Sequence, residues 1–154
     1  MDERTIRDMC ELTRSNMAVI IPSDSDRQAD DVAWREAFDR NTALGIRHVV
    51  ERRAGELVGF LSWTTPPTGD VYINELQIRP DRMRNGVTLR RLLGGFARDI
   101  ADVPARRVRT YTNRRNAAAQ RLLPRLGFVL ESETANGFRY AVDKQTLLDR
   151  LKGW

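Results

Sequence analysis

The chain has 154 residues, 41% of them hydrophobic and 31% charged, with a formal net charge of +5. That length predicts one domain with a real core, and no apolar run approaches the ~20 residues needed to span a membrane. The lone cysteine, Cys10, excludes an internal disulfide, and no charged-then-apolar leader argues for export, so a reducing, cytoplasmic setting is expected.

Of the 26 basic residues, 24 are arginine, whose planar fork suits phosphate and carboxylate. They are spread along the chain rather than massed. No aromatic–basic alternation offers a stacking platform, which counts against nucleic acid as the partner.

In chain order, Glu3 to Met17 has helical periodicity through Ile6, Met9 and Leu12, and places Cys10 in the core. The Pro-Ser-Asp-Ser-Asp run at 22–26 reads as a turn with several candidate helix caps. A second helix follows from about Arg27 to Asn41, with Val32, Ala33, Ala37 and Phe38 inward. Ile46 to Arg52 and Leu57 to Trp63 read as a hairpin turned by Gly55. His48, the one histidine, falls in a strand and reads as packing. Pro66, Pro67 and Gly69 make a loop.

The stretch from Tyr72 to Ile100 then organises the rest. A strand through Ile73, Leu76 and Ile78 is stopped by Pro80 and Asp81, and a polar loop ends at Gly86. An amphipathic helix follows with Leu89, Leu92, Leu93, Phe96 and Ile100 at helical spacing. Strand, glycine loop and helix start in succession can hold an anion, because the first turn of a helix has unpaired N–H groups and the positive dipole end. Arg79, Arg82 and Arg84 flank the loop. On residues alone, this and an ordinary βα turn with a solvated basic rim stay level.

After Pro104, Arg106 to Thr112 is a strand with Val108, Thr110 and Thr112 on one face. Asn113 to Leu126 is helical, closed by Gly127. Phe128 to Thr134 and Gly137 to Val142 pair around Asn136–Gly137. Lys144 to Leu151 is a last helix packing Leu147, Leu148 and Leu151. The order ααβββαβαββα is that of helices on a mixed sheet.

The segment Asn116 to Phe128, NAAAQRLLPRLGF, resembles the N-x-x-A-x-x-L-Y-x-x-L-G-F motif of the GNAT acyltransferase superfamily. Ile78, Pro80, Gly86 and Val87 resemble that superfamily's V-x-P-x-x-(Q/R)-x-x-G-x-(G/A) pyrophosphate loop. Together these cover roughly residues 70 to 130. The resemblance implies a GNAT-like α/β fold: a mixed, mostly antiparallel central sheet with splayed central strands and helices on both faces, filling 1–154 as one acyltransferase domain.

It also implies acetyl-CoA, or another acyl-CoA, as co-substrate without a metal. Met83, Arg84, Asn85, Gly86, Val87 and Thr88 would hold the pyrophosphate. Leu76, Gln77 and Ile78 would pair with the pantetheine arm as an added strand, and Asn116 would reach the arm or else cap its helix. Three positions depart from the pattern: Met83 replaces Gln or Arg, Thr88 replaces a small residue, and Leu123 stands where many relatives carry a proton-donating tyrosine.

Acyl transfer to an amine needs a base to take an ammonium proton. Glu75 occupies a position often acidic in relatives, and a partly desolvated carboxylate would have a raised pKa; the alternative is an ion-paired strand residue. Tyr111, on the neighbouring strand and opposite in sense to Thr110 and Thr112, is the candidate to replace the missing tyrosine. Tyr72 and Tyr140 are weaker candidates. The implied function is N-acetylation of a primary amine on a small molecule or protein, by direct transfer in a ternary complex. The alternatives are a CoA-binding regulatory module without catalysis and, less favoured, a nucleic-acid-directed protein. No membrane partner is expected, and a homodimer stays open.

Overall fold

The structure is a computed structural model that describes residues 1–20 and 27–154. The expected turn at 22–26 lies outside the described residues.

Helix α1 (Glu3–Ile20) buries Met9 and Leu12, as its periodicity requires, and helix α2 (Arg27–Ala43) follows. α2 departs from expectation: it buries no residue fully, and Val32 and Ala33 are exposed. Trp34, Ala37 and Phe38 are the half-buried side. Its apolar residues are too sparse among charges to define a face by spacing alone.

Strands β1 (Arg47–Arg53) and β2 (Glu56–Thr64) form the first hairpin, and Ala54 and Gly55 both take positive φ, 50° and 79°. Two left-handed residues in a two-residue loop give the turn whose twist matches the strands. β3 (Val71–Ile78) is followed by one 3₁₀ turn, Pro80–Arg82, and by α3 (Val87–Ile100). Then come β4 (Arg107–Asn113), α4 (Ala117–Arg125), β5 (Val129–Glu133), β6 (Gly137–Asp143) and α5 (Lys144–Lys152).

The strands form one mixed, mostly antiparallel open sheet in the order β1-β2-β3-β4-β6-β5. β3 and β4 run parallel and pair only at Val71↔Val108, Tyr72↔Arg109 and Ile73↔Thr110. The ladder stops there, although β3 continues to Ile78 and β4 to Asn113. β4 stays paired with β6 from Arg107↔Asp143 to Asn113↔Gly137.

The chain divides into two compact units, each drawn from two stretches of sequence: Met1–Ser62 with Glu75–Leu92, and Trp63–Asn74 with Leu93–Trp154. In the first, Met9, Leu12, Leu57 and Phe60 form a buried cluster with Phe38 and Val50 packed against it. His48 stacks on Phe38 at 5.3 Å and its Nδ1 lies 2.7 Å from Ser62 Oγ, consistent with a packing role.

In the second unit Trp63 meets Phe96 edge to face at 6.1 Å. Val71, Val108, Ile100 and Leu147 are buried to within 1%. The β5–β6 hairpin forms as expected, but for another reason. Gly137 has no positive φ; an added Cβ would strike the Thr112 carbonyl and the Tyr111 ring, so the glycine makes room for that tyrosine.

Candidate active site

Gly86 ends the loop before α3 with φ 68°, and a Cβ there would meet nothing within 4 Å. Glycine is therefore needed for its dihedral rather than for space. Asn85 Oδ1 accepts the Val87 N–H at 3.1 Å, and the Gly86 carbonyl accepts the Arg90 N–H at 2.9 Å. Between them, the N–H groups of Thr88 and Leu89 find no acceptor among the described residues. The helix start thus offers two unpaired donors and the positive dipole end.

The basic flank is smaller than the sequence suggested. Arg79 is held by Asp81 at 2.9 Å and Glu56 at 3.0 Å. Arg82 and Arg84 are exposed and make no ion pair among the described residues, so two guanidinium groups remain available. Met83 is exposed. Thr88, which replaces a small residue of the pattern, is buried: its Cγ2 would lie 3.0 Å from a Cβ on Gly59. Gly59 lets the first turn of α3 settle on β2, and a lone glycine inside a strand pattern is the signal that marks such close approach.

On β3, Leu76 is half-buried while Gln77 and Ile78 are buried. Asn16 of α1 donates its Nδ2–H to Gln77 Oε1 at 3.1 Å and to the Ile78 carbonyl at 3.0 Å. That carbonyl therefore already has a donor, leaving less of Ile78 for an added strand than the sequence implied. Nothing in the sequence pointed to Asn16.

Glu75 is half-buried and makes no hydrogen bond or ion pair among the described residues. Burial, with no cation to offset it, pushes its carboxyl up to about 7. Its charge is felt by Cys10 of α1, whose thiol is pushed up to about 11, chiefly by burial. Cys10 Sγ–H points to the Trp34 carbonyl at 3.9 Å, so the thiol is not an activated nucleophile.

In the second unit Tyr111 is 38% exposed, and its hydroxyl lies 3.4 Å from Thr134 Oγ1. Asn116 caps α4, its Oδ1 accepting the Ala119 N–H at 3.1 Å, which leaves its Nδ2 free to donate. Leu123 is buried in α4 and supplies no proton donor. Tyr72 is half-buried and Tyr140 buried; burial raises the Tyr72 phenol despite Arg139 nearby. Glu75, Leu76, Gln77, Ile78 and the 83–88 loop thus belong to the first unit, and Tyr111 and Asn116 to the second. Among the described residues no cluster of histidine, cysteine or carboxylate could hold a metal.

No family model matches the sequence, and no curated protein matches it significantly. Solved structures do match. The PaiA N-acetyltransferase from Thermoplasma acidophilum, in complex with coenzyme A, superposes with a TM-score of 0.74 at 14% identity, over 93% of this chain and 95% of that one. The fold is that of the GNAT acetyltransferases. A GNAT-family acetyltransferase from Staphylococcus aureus Mu50 gives 0.74 at 12% identity, over 94% and 96%. The yncA protein from Salmonella typhimurium, with its cofactor acetyl-CoA, gives 0.68 at 16%, over 94% and 91%. The GNAT fold read from two motifs is therefore present along nearly the whole chain. Among the described residues no helix is long and apolar enough to cross a membrane.

Proposed function

We propose that this chain is an acyl-CoA-dependent N-acyltransferase that moves an acetyl or other acyl group to a primary amine by direct transfer. The observation that carries the reading is Glu75: a half-buried carboxyl, unpaired, raised to about 7, in the strand that the GNAT pattern puts beside the reacting group.

The residues present fit the coenzyme. The free N–H groups of Thr88 and Leu89, the left-handed Gly86, and unpaired Arg82 and Arg84 suit a pyrophosphate. Backbone of Leu76, beyond the end of the β3–β4 ladder, suits the amides of the arm, whereas the Gln77 carbonyl is turned to Gly59 on β2. In the second unit, Asn116 Nδ2 is an unused donor. Bound there, the coenzyme supplies an activated acyl thioester whose thiolate can leave.

The protein's part is proton handling and orientation. An amine arrives as ammonium and must lose a proton before it can attack; a carboxylate with pKa near 7 is half ionised at neutral pH and accepts that proton, directly or through water. Tyr111 is the candidate donor to the departing thiolate in place of Leu123. The acceptor is an amine on a small molecule or a protein.

The test is calorimetry with acetyl-CoA followed by a thiol-release assay across an amine panel. Saturable binding with amine-dependent thiol release supports the reading. Binding with no release on any amine favours a CoA-binding module without catalysis, consistent with the buried leucine at 123. No binding removes both.

A further inference from the structure

A second polar site lies wholly within the second unit. It is a cavity of about 200 Å³ lined by the Pro66–Asp70 loop, Tyr72, Arg109, Glu131, Arg139 and Tyr140. Its volume falls below the several hundred Å³ of a pocket for a drug-sized ligand, so it suits a small molecule.

The charges in its wall are arranged in two tiers. Asp70 is bracketed by Arg109 at 2.9 Å and Arg107 at 3.9 Å, and Glu131 by Arg107 at 3.2 Å and Arg109 at 3.6 Å. Those two carboxylates and two guanidinium groups neutralise one another. Arg139 makes no ion pair or hydrogen bond among the described residues, although it faces the same cavity. One positive charge is left over, with the Tyr72 ring beside it.

We infer that this cavity binds a small organic monoanion, a carboxylate clasped by Arg139, with its body against Tyr72, whose strand register puts it on the same face of the sheet as Arg109 and Arg139. A guanidinium presents two parallel N–H donors that match the two oxygens of a carboxylate. The surplus of a single charge selects a monoanion, because a dianionic phosphate would be repelled by Asp70 and Glu131 once Arg139 is satisfied. Thr110 does not compete for the ligand, since its Oγ1–H is donated to the Ile73 carbonyl at 3.1 Å. The inference stands whether or not the chain transfers acyl groups, because binding here needs no coenzyme.

The experiment is calorimetric titration at low ionic strength, without coenzyme, using benzoate, glutamate, benzamide and inorganic phosphate. One site per chain is expected for at least one of the two carboxylates. Benzamide and phosphate should bind at least about tenfold more weakly, the worth of one charge-assisted contact. Arg139→Gln should weaken the carboxylate about tenfold or more, and Arg139→Lys should fall between, since a point charge lacks the fork. Arg121→Gln, on the exposed side of α4, should change nothing. Because Arg139 is exposed and unpaired, loss of fold does not confuse the result. No saturable binding of either carboxylate, equal binding in Arg139→Gln, or phosphate binding as tightly would overturn the inference.

Discussion

Glu75 and Asp70 sit five residues apart at β3, both largely out of water, yet they are treated in opposite ways. Asp70 has Arg109 and Arg107 against it. Glu75 has no cation, and burial alone raises its pKa to about 7. Among the described residues, exposed acids such as Glu36, Asp99 and Asp102 also lack an arginine partner, but Glu75 lacks one while half-buried. The paired acid holds its neighbouring guanidinium groups in place, whereas an unpaired buried acid can take and release a proton near neutral pH.

The comparison breaks most visibly at Glu75→Gln. Amine-dependent thiol release should fall about a hundredfold or more, the usual worth of a general base, with acetyl-CoA affinity unchanged by calorimetry. The same substitution should raise stability. Between the ordinary 4.5 and about 7 the folded chain holds the Glu75 proton more tightly than the unfolded chain does, so stability falls as pH rises through that window. Glu75→Gln should remove that loss, gaining about 1–2 kcal/mol at pH 8 and little at pH 4, read from urea melts at both.

A guanidinium placed beside Glu75 should make it resemble Asp70. Cys10→Arg is the test, and the pH–rate profile should move down by about one unit. The converse, Asp70→Asn, should cost about 1 kcal/mol of stability and leave the pH–rate profile where it was.

The smallest effect is expected at His48, a half-buried group of the first unit whose Nδ1 meets Ser62 Oγ at 2.7 Å. Its Nε2 is buried with no partner among the described residues, and burial foremost holds its pKa below the usual 6.5. Here the sign is reversed: stability is full above pH 6.5 and is lost as pH falls below it, because the unfolded chain binds the proton first. His48→Phe should flatten the difference in urea midpoint between pH 7 and pH 5.

What could be read in advance followed from local rules. Gly86 and Gly127 take φ of 68° and 92°, each at the helix boundary where spacing and flanking residues placed it. α3 and its apolar stripe were legible because Leu92, Leu93, Phe96 and Ile100 repeat at helical period and are all buried. The GNAT fold was legible because two motifs lie in order at the right separation.

The missing parts depend on residues far apart in sequence. Arg79 looked available for a phosphate, but Glu56, 23 residues away, claims it. Asn16 reaches β3 across 61 residues, and no spacing rule announces it. α2 misled because its few apolar residues define no face, so tertiary packing alone decided that Phe38 turns in and Val32 out. Glu75 was legible as a candidate by position, but its isolation from every arginine appears only once the chain is folded.

That isolation can be measured at the residue itself. In protein labelled with ¹³C at glutamate side chains, the Glu75 carboxyl resonance, assigned by its absence in Glu75→Gln, should titrate with a midpoint of about 7. A midpoint at the ordinary 4.5 would mean the carboxylate is solvated or paired, and the base assigned to this chain would be lost with it.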